Sequence, residues 1–456
     1  MDAFALELMR RSPLAGSVLE LSDFVLDDAL LDSIFEHHRG RCYEDELRFP
    51  AFVRLLRDAL LRHDGSGHKL FVELERRKAN PVDESNFYRK LARTPVEVSR
   101  AILRECSMRL TQLMPQDACE LPACLKGFAV IAGDGKKIKN AAKRLKPTRG
   151  YSGKLLGAKA LVAMDVRRGL AIAMSDSLDG ESNDVPLVPS LMEQVRQVIG
   201  EPVLSIWDRQ FGDTGTLDLL CRRPGDAYVV RLREGLSFVA ESSRELRNAQ
   251  GQRIIDEIGL LGTGKKARRV RRITLIRGEE EDDVQVVTNL LDQDLYSATD
   301  LLELYRKRWG IEQVFQQVTE TFSLDHLIGC SPRAVLLQFA LCLLLYNLMQ
   351  VIKTYVAQDG RVLASAVSMF YLFDDARQEL LSWAYHTHGA WPRMRRDAGQ
   401  MRSRLRELLR GSWDPIAYRK SSDKKPRARP KPKRPVSGGH TSVQRLLEGA
   451  ASAGAR

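Results

Sequence analysis

In FAVIAGDGKKI, residues 128–138, an uncharged run from Phe128 to Gly133 stops at Asp134. A run that short, apolar throughout and followed by charge, reads as a strand buried on both faces with an acid at its carboxyl end. PVLSIWDRQFGD, residues 202–213, repeats the pattern and stops at Asp208. Between them, KALVAM and LAIAMSDSL are joined by DVRRG at 165–169, a hairpin. DVPLVPSLMEQVRQVIG, 184–200, has helical spacing with Asn183 or Asp184 as its cap. LDLLCRR, 217–223, makes a short helix and DAYVVRLRE, 226–234, another strand. Strands with helices packed on them make an α/β domain, and ligands gather at the carboxyl ends of such strands. Asp134 and Asp208 are therefore candidate functional residues.

The flanks differ in character. Residues 1–125 read as helical, with three-to-four periodicity in DALLDSIFEHHRG, FPAFVRLLRDALLRH and TPVEVSRAILRECSMRLTQLM. The α/β pattern occupies 126–233. From 234 to 296 it gives way to β segments separated by turns and charge: SFVAES, QRIIDEIGL, KKARRVRRITLIRG and DDVQVVTNL. This stretch looks like an inserted β module. Its KKARRVRR, near the acidic EEEDD, can be a DNA-facing strand or a charged edge that resists aggregation.

Ser297 offers a helix cap, with Asp300 three residues on, for LLELYRKRWGIEQVFQQVTETF, residues 301–322. Wound at about 100° per residue, this stretch places Leu301, Leu304, Tyr305, Trp309, Phe315 and Phe322 on one apolar arc. Glu303, Arg306 and Gln317 fall away from it, whereas Arg308 and Glu312 do not. A carboxylate among apolar neighbours requires a partner, so Glu312 either pairs with Arg308 four positions earlier or holds a metal.

At 456 residues and 44% hydrophobic, the chain has enough apolar surface for a sizeable core. Its formal net charge of +12 points to a polyanionic partner, most simply nucleic acid. RKSSDKKPRARPKPKRP, 419–435, carries nine basic residues and one acid, so +8 of the +12 lies there and +4 remains elsewhere. Such proline-rich, basic composition reads as disorder for 419–456, after helices over 351–418. Seven scattered cysteines with no C-x-x-C pair, and no secretory leader, read as reduced thiols of a cytoplasm. AVLLQFALCLLLYNLMQVI, 334–352, approaches membrane-spanning length. Gln338, Asn347 and Gln350 interrupt it, which favours a buried helix and no membrane.

Asp134, Asp208 and Glu312 meeting at one point would repel one another, and divalent cations relieve that repulsion. Oxygen-only sites with open positions suit Mg²⁺ or Mn²⁺. Two such ions can activate a nucleophile and stabilise the leaving oxygen of a phosphodiester. The expected chemistry is metal-dependent phosphoryl transfer on nucleic acid. Asp179, Glu181, Asp184 and Asp213 read instead as turn and cap residues.

GDGKKI at the first acid, IWDRQFGD at the second, DAYVVRLRE after it and the Y-x-x-R-x-x-x-E of Tyr305, Arg308 and Glu312 resemble the DDE transposases of bacterial insertion sequences. The likeness is to the insertion-sequence-four type and spans roughly residues 28–350. Glu312 follows Asp208 by 104 positions (312 − 208), room for a module between them. The resemblance implies an α/β ribonuclease-H-like core with an inserted β-rich domain, closed by the helix of 297–350. It implies Asp134, Asp208 and Glu312 as catalytic ligands of two Mg²⁺ or Mn²⁺ ions. It implies DNA contacts by Tyr305, Arg308, Lys136 and Lys137. The partners implied are terminal inverted repeats and target DNA, held by a homodimer, with 1–125 recognising the ends. The pattern also expects a lysine seven positions after Glu312, where this chain has Thr319. A structure-selective nuclease and a non-catalytic DNA-binding protein are the other classes compatible with the sequence.

Overall fold

The computed structural model describes residues 7–8, 11–42, 46–78, 82–115, 119–277, 282–321, 324, 326–387, 395–420 and 439–454. The leading region is helical as expected: α1 (Pro13–Val25), α2 (Asp28–His38), α3 (Phe49–Arg62), α4 (Gly67–Arg76), α5 (Glu84–Arg93) and α6 (Val96–Thr111). Its apolar residues belong to one core that runs from Leu14 to Val443.

A mixed sheet with helices around it forms the centre. β1 (Ala129–Lys139), β2 (Lys154–Asp165) and β3 (Leu170–Ser177) are an antiparallel meander, the last two joined at the predicted DVRRG hairpin. After α7 (Val188–Arg196), β4 (Val203–Trp207) pairs parallel with β1. After α8 (Thr214–Leu220), β5 (Ala227–Arg231) pairs parallel with β4. The resulting order is β3-β2-β1-β4-β5.

β6 (Phe238–Arg247), β7 (Arg253–Leu261), β8 (Arg268–Leu275) and β9 (Val284–Thr288) are the β segments foreseen for 234–296. They are antiparallel to one another and join the central sheet through β9, which pairs with β5. The sheet therefore continues without a break from β5 into this segment.

Three expectations are corrected. Asp134 does not end its strand: β1 runs five residues further because it stays paired with β2 to Lys139, while its parallel pairing with β4 stops at Ala132. The helix expected over 301–322 is two, α9 (Ala298–Arg306) and α10 (Trp309–Glu320); Phe322 lies outside the described residues. Finally, the expected disorder of 419–456 does not hold for its last part. His440–Ser442 forms β10, parallel to Lys154–Leu156 of β2, and Val443–Gly454 forms α14. Ser442 and Val443 are fully buried there, which secures the segment; 421–438 lie outside the described residues.

The apolar run at 334–352 belongs to α11 (Pro332–Asp359), long and apolar enough by composition to cross a membrane, yet packed inside the molecule against α6, β2 and β3. Its polar interruptions are satisfied inside. Asn347 donates to Ser107 Oγ (2.8 Å) and Ala171 O (2.7 Å) and accepts from Ala171 N (2.8 Å), tying the helix to β3 and α6. α12 (Met369–Thr387) and α13 (Ala398–Leu408) complete the helical side.

Candidate active site

Asp134 sits on β1 two residues past Ala132, the last residue of β1 that pairs with β4. The glycines on either side are there because neighbours press close. A Cβ at Gly133 would lie 2.1 Å from the Trp207 ring, and one at Gly135 would lie 2.2 Å from Asp184 Oδ1. No side chain fits at either position. Asp184, expected as a helix cap, makes no cap hydrogen bond; it lies 2.9 Å from the buried Lys159 Nζ. Asp213 does cap α8, accepting from Thr216 N at 3.0 Å.

Asp208 follows β4 directly and stays half-buried. Beside it the Trp207 ring is fully buried and tilts against Phe211 at 4.7 Å, which fixes the strand end from which Asp208 projects.

The third acid is placed by the joint between α9 and α10. Ser297 caps α9, accepting from Asp300 N at 3.0 Å. At the joint the hydrogen bonds tighten to three-residue spacing: Arg308 N to Tyr305 O (3.1 Å), Gly310 N to Lys307 O (3.0 Å), Ile311 N to Arg308 O (3.1 Å). Tighter winding advances each residue further around the axis, so a uniform 100° projection fails beyond Arg306. Trp309, expected on the apolar arc, is 58% exposed, and Glu312 lies in the first turn of α10 with its side chain 36% exposed. The joint turns Glu312 toward β1 instead of into the core; α10 packs on β1 and on α11.

Arg308 meets two of the three acids and feels the charge of the third, Asp208. Its side chain is 6% exposed, with Nη2 2.8 Å from Glu312 Oε1 and Nη1 3.9 Å from Asp134 Oδ2. Burial works against its charge, yet Tyr305, Glu312 and Asp208 more than offset this and hold the guanidinium more firmly protonated than usual. Its Nε, also buried, has no hydrogen-bond partner. Burial pushes the Tyr305 hydroxyl up, Arg308 drawing it down and Asp208 adding to the rise. Burial also pushes the Asp134 carboxyl up to about 6; the Gly135 N–H and Arg308 oppose this, and Glu312 and Asp208 reinforce it.

Lys136 and Lys137 diverge, as alternate residues of a strand must. Lys136 turns to α10, its Nζ 3.0 Å from Thr319 Oγ1 and 5.7 Å from the centre of the Phe315 ring; burial lowers its pKa. The position where a lysine was expected thus meets an ammonium delivered from β1. Lys137 is exposed. This strand-to-helix contact was invisible in sequence, because 183 positions separate Lys136 from Thr319.

Three carboxylates are the hard oxygen donors that Mg²⁺ and Mn²⁺ take. The raised pKa of Asp134 supports the fit, since part of it comes from carboxylates that an added cation would screen. Among the described residues, no three Asp, Glu, His or Cys side chains stand close enough to hold an ion unaided. Small divalent ions commonly keep waters and take substrate phosphate oxygens beside one or two carboxylates, which such an open set allows.

Residues 125–348 match the family described as the transposase DDE domain, a span that contains all three acids. The chain is 24% identical over 229 residues to a probable transposase for insertion sequence element IS5377 from Geobacillus stearothermophilus. That alignment takes in 50% of this chain and 58% of the relative, so the chain spans little more than half of the relative's length. A cryo-EM structure of the piggyBac transposase synaptic complex with hairpin DNA aligns over 86% of this chain and 85% of its own, at 14% identity and a TM-score of 0.38. The resemblance drawn from the motifs is upheld at the level of DDE transposases of insertion sequences.

Proposed function

With residues 125–348 a transposase DDE domain, we propose that this chain binds the terminal inverted repeats of an insertion sequence, cuts at its ends and joins the freed 3′-OH to target DNA. The observation that carries the reading is the guanidinium of Arg308 held between Glu312 and Asp134, with the charge of Asp208 acting on it as well. The strand order β3-β2-β1-β4-β5, with β1 to β3 antiparallel and β4 and β5 parallel to β1, supports a ribonuclease-H-like core. The segment 234–296 is then the insertion, 1–125 the end-recognition region, and the working unit a homodimer in the bacterial cytoplasm, at the nucleoid.

In this reading Asp134, Asp208 and Glu312 hold two divalent ions, which supply Lewis acidity to the attacking and leaving oxygens. The chain's own residues arrange the rest. Arg308 turns its fork, including the unpartnered Nε, to the scissile phosphate, the bidentate geometry phosphate favours. Tyr305 lies against the same guanidinium and orients the nucleotide at the cut. Lys136 braces α10 through Thr319 and keeps Glu312 facing β1. Lys137 contacts a phosphate at the rim.

The test is cleavage and joining on labelled duplex DNA carrying the sequences that flank the gene, with Mg²⁺ or Mn²⁺, for wild type and Glu312→Gln. Defined terminal nicks and joined products, both lost in the variant by at least ~10²-fold, are expected. Nicks without joining would replace a transposase with a nuclease. Specific binding without any cutting would make the chain a DNA-binding protein.

A further inference from the structure

We propose that residues 137–154 are the bed along which the DNA backbone leaves the active site, an inference that rests on the transposase reading and locates its substrate's path. From Lys136 to Lys154 the chain carries eight lysines and arginines and not one acid. With +8 here and +8 in 419–435, the rest of a chain of net charge +12 stands at −4. Outside this strip and 419–435 the chain is therefore net acidic.

Seven of the eight, Lys137, Lys139, Lys143, Arg144, Lys146, Arg149 and Lys154, are exposed, and among the described residues none is ion-paired with a carboxylate. The groups that are engaged meet neutral partners: Lys143 Nζ donates to Tyr151 O, Arg149 Nε to Arg144 O at 3.3 Å, and Arg144 bonds the Tyr88 side chain. Clustered cations without counter-charges repel one another, and a polyanion converts that repulsion into binding by releasing its own counterions. On the stretch of β1 that leads away from Asp134, Lys137 and Lys139 are exposed on either side of the buried Ile138.

The surface beneath is hollow in the same direction. A hollow of about 430 Å³ lined by Lys136, Lys137, Lys139 and Thr319 starts beside Asp134 and reaches Asn140. Asn140, in the left-handed region at φ 65°, also lines a second hollow of about 760 Å³. The opposite wall of that second hollow is the turn Asp64–Lys69, which leads into α4 of the N-terminal helices. The trough thus links the acids to the helical region. At the far end of the strip, Lys154 N donates to Gly439 O at 3.0 Å, so the chain that carries the basic 419–435 segment rejoins the fold there.

Two experiments test this with the full chain and duplex DNA carrying the gene-flanking sequences. In wild type, bound DNA should protect Lys139, Lys143 and Lys146 from acetylation, read by mass spectrometry, while the exposed Lys265 and Lys266 stay reactive. A variant with Lys139, Lys143, Arg144 and Lys146 all changed to Gln should lower the slope of log affinity against log salt by about 3 to 4, as loss of four phosphate contacts requires. An unchanged slope, or protection of Lys265 and Lys266 in place of the strip, overturns the proposal while leaving the transposase reading intact. Failure of wild type to bind the duplex at any salt overturns both. Cleavage by wild type with an unprotected strip overturns the path alone.

Discussion

In KKARRVRR, 265–272, each arginine meets a carboxylate: Arg268 with Asp218, Arg269 with Glu241, Arg271 with Asp256, Arg272 with Glu257. Among the described residues, the exposed cations of 136–154 meet none. As text the two stretches look alike, and the first is the denser. The difference lies in acids supplied by β6, β7 and α8, 15 to 50 positions away from the arginines they neutralise. A basic run is a binding surface only if the fold leaves its charge unbalanced. Of the two readings open for KKARRVRR, the pairing favours the structural one.

The comparison can be broken at its most buried point. Asp256 and Arg271 are both 0% exposed and joined by two hydrogen bonds, 2.7 and 3.0 Å. Asp256→Ala would leave Arg271 buried and uncompensated, and should lower stability by about 3–5 kcal/mol in chemical denaturation. A loss under about 1 kcal/mol would show that this region does not depend on its pairing.

A smaller effect separates the buried acids of the two regions by sign. Burial would raise Asp256, but hydrogen bonds from Arg271, Gln293 and Arg244 hold it below its ordinary value, so its stabilisation is present above pH 3.8 and lost as pH falls. Asp134 is raised to about 6, so its contribution is full below pH 3.8 and lost as pH rises through 6. In metal-free protein, Asp134→Asn should remove a decline of about 2–3 kcal/mol across that interval, measured by denaturation at each pH. An identical pH profile for wild type and variant would mean that the site does not strain this carboxylate.

The remaining effects are small and opposite in kind. Arg269→Gln removes a pair whose members are 59% and 40% exposed. It should cost no more than ~1 kcal/mol and leave the salt dependence of DNA binding unchanged. Lys146→Gln on the strip should leave stability within about 0.5 kcal/mol and lower the salt slope by about 0.9. Equal slopes for the two variants would erase the distinction between the regions.

What the sequence disclosed follows the range of the interactions. Asp134 and Asp208 were legible because apolar runs ending in acids are local patterns, and Glu312 because its i−4 partner is local too. Of the two alternatives for Glu312, the pairing with Arg308 is present, and the same guanidinium also reaches Asp134. Lys136 on Thr319 was hidden by distance along the chain, and the α9–α10 joint by the assumption of uniform winding. β10 was hidden for both reasons: three residues have no period, and their pairing partners lie 286 positions earlier (440 − 154).

β10 also sets a timetable. Gly180 N meets Ser442 Oγ, Glu181 accepts from Thr441 and Ser442, and Arg445 clasps Asp179 and Glu181, so the loop after β3 gains these partners from residues translated much later. At about 5–20 residues per second, a ribosome needs roughly 15–60 seconds to travel from Leu156 to His440. Throughout that interval the β2 edge is an unpaired template next to the growing strand order, open to any extended chain nearby. A stop between α13 and His440 makes that exposure permanent: the product keeps Asp134, Asp208 and Glu312 but is released with the edge at Lys154–Leu156 uncovered.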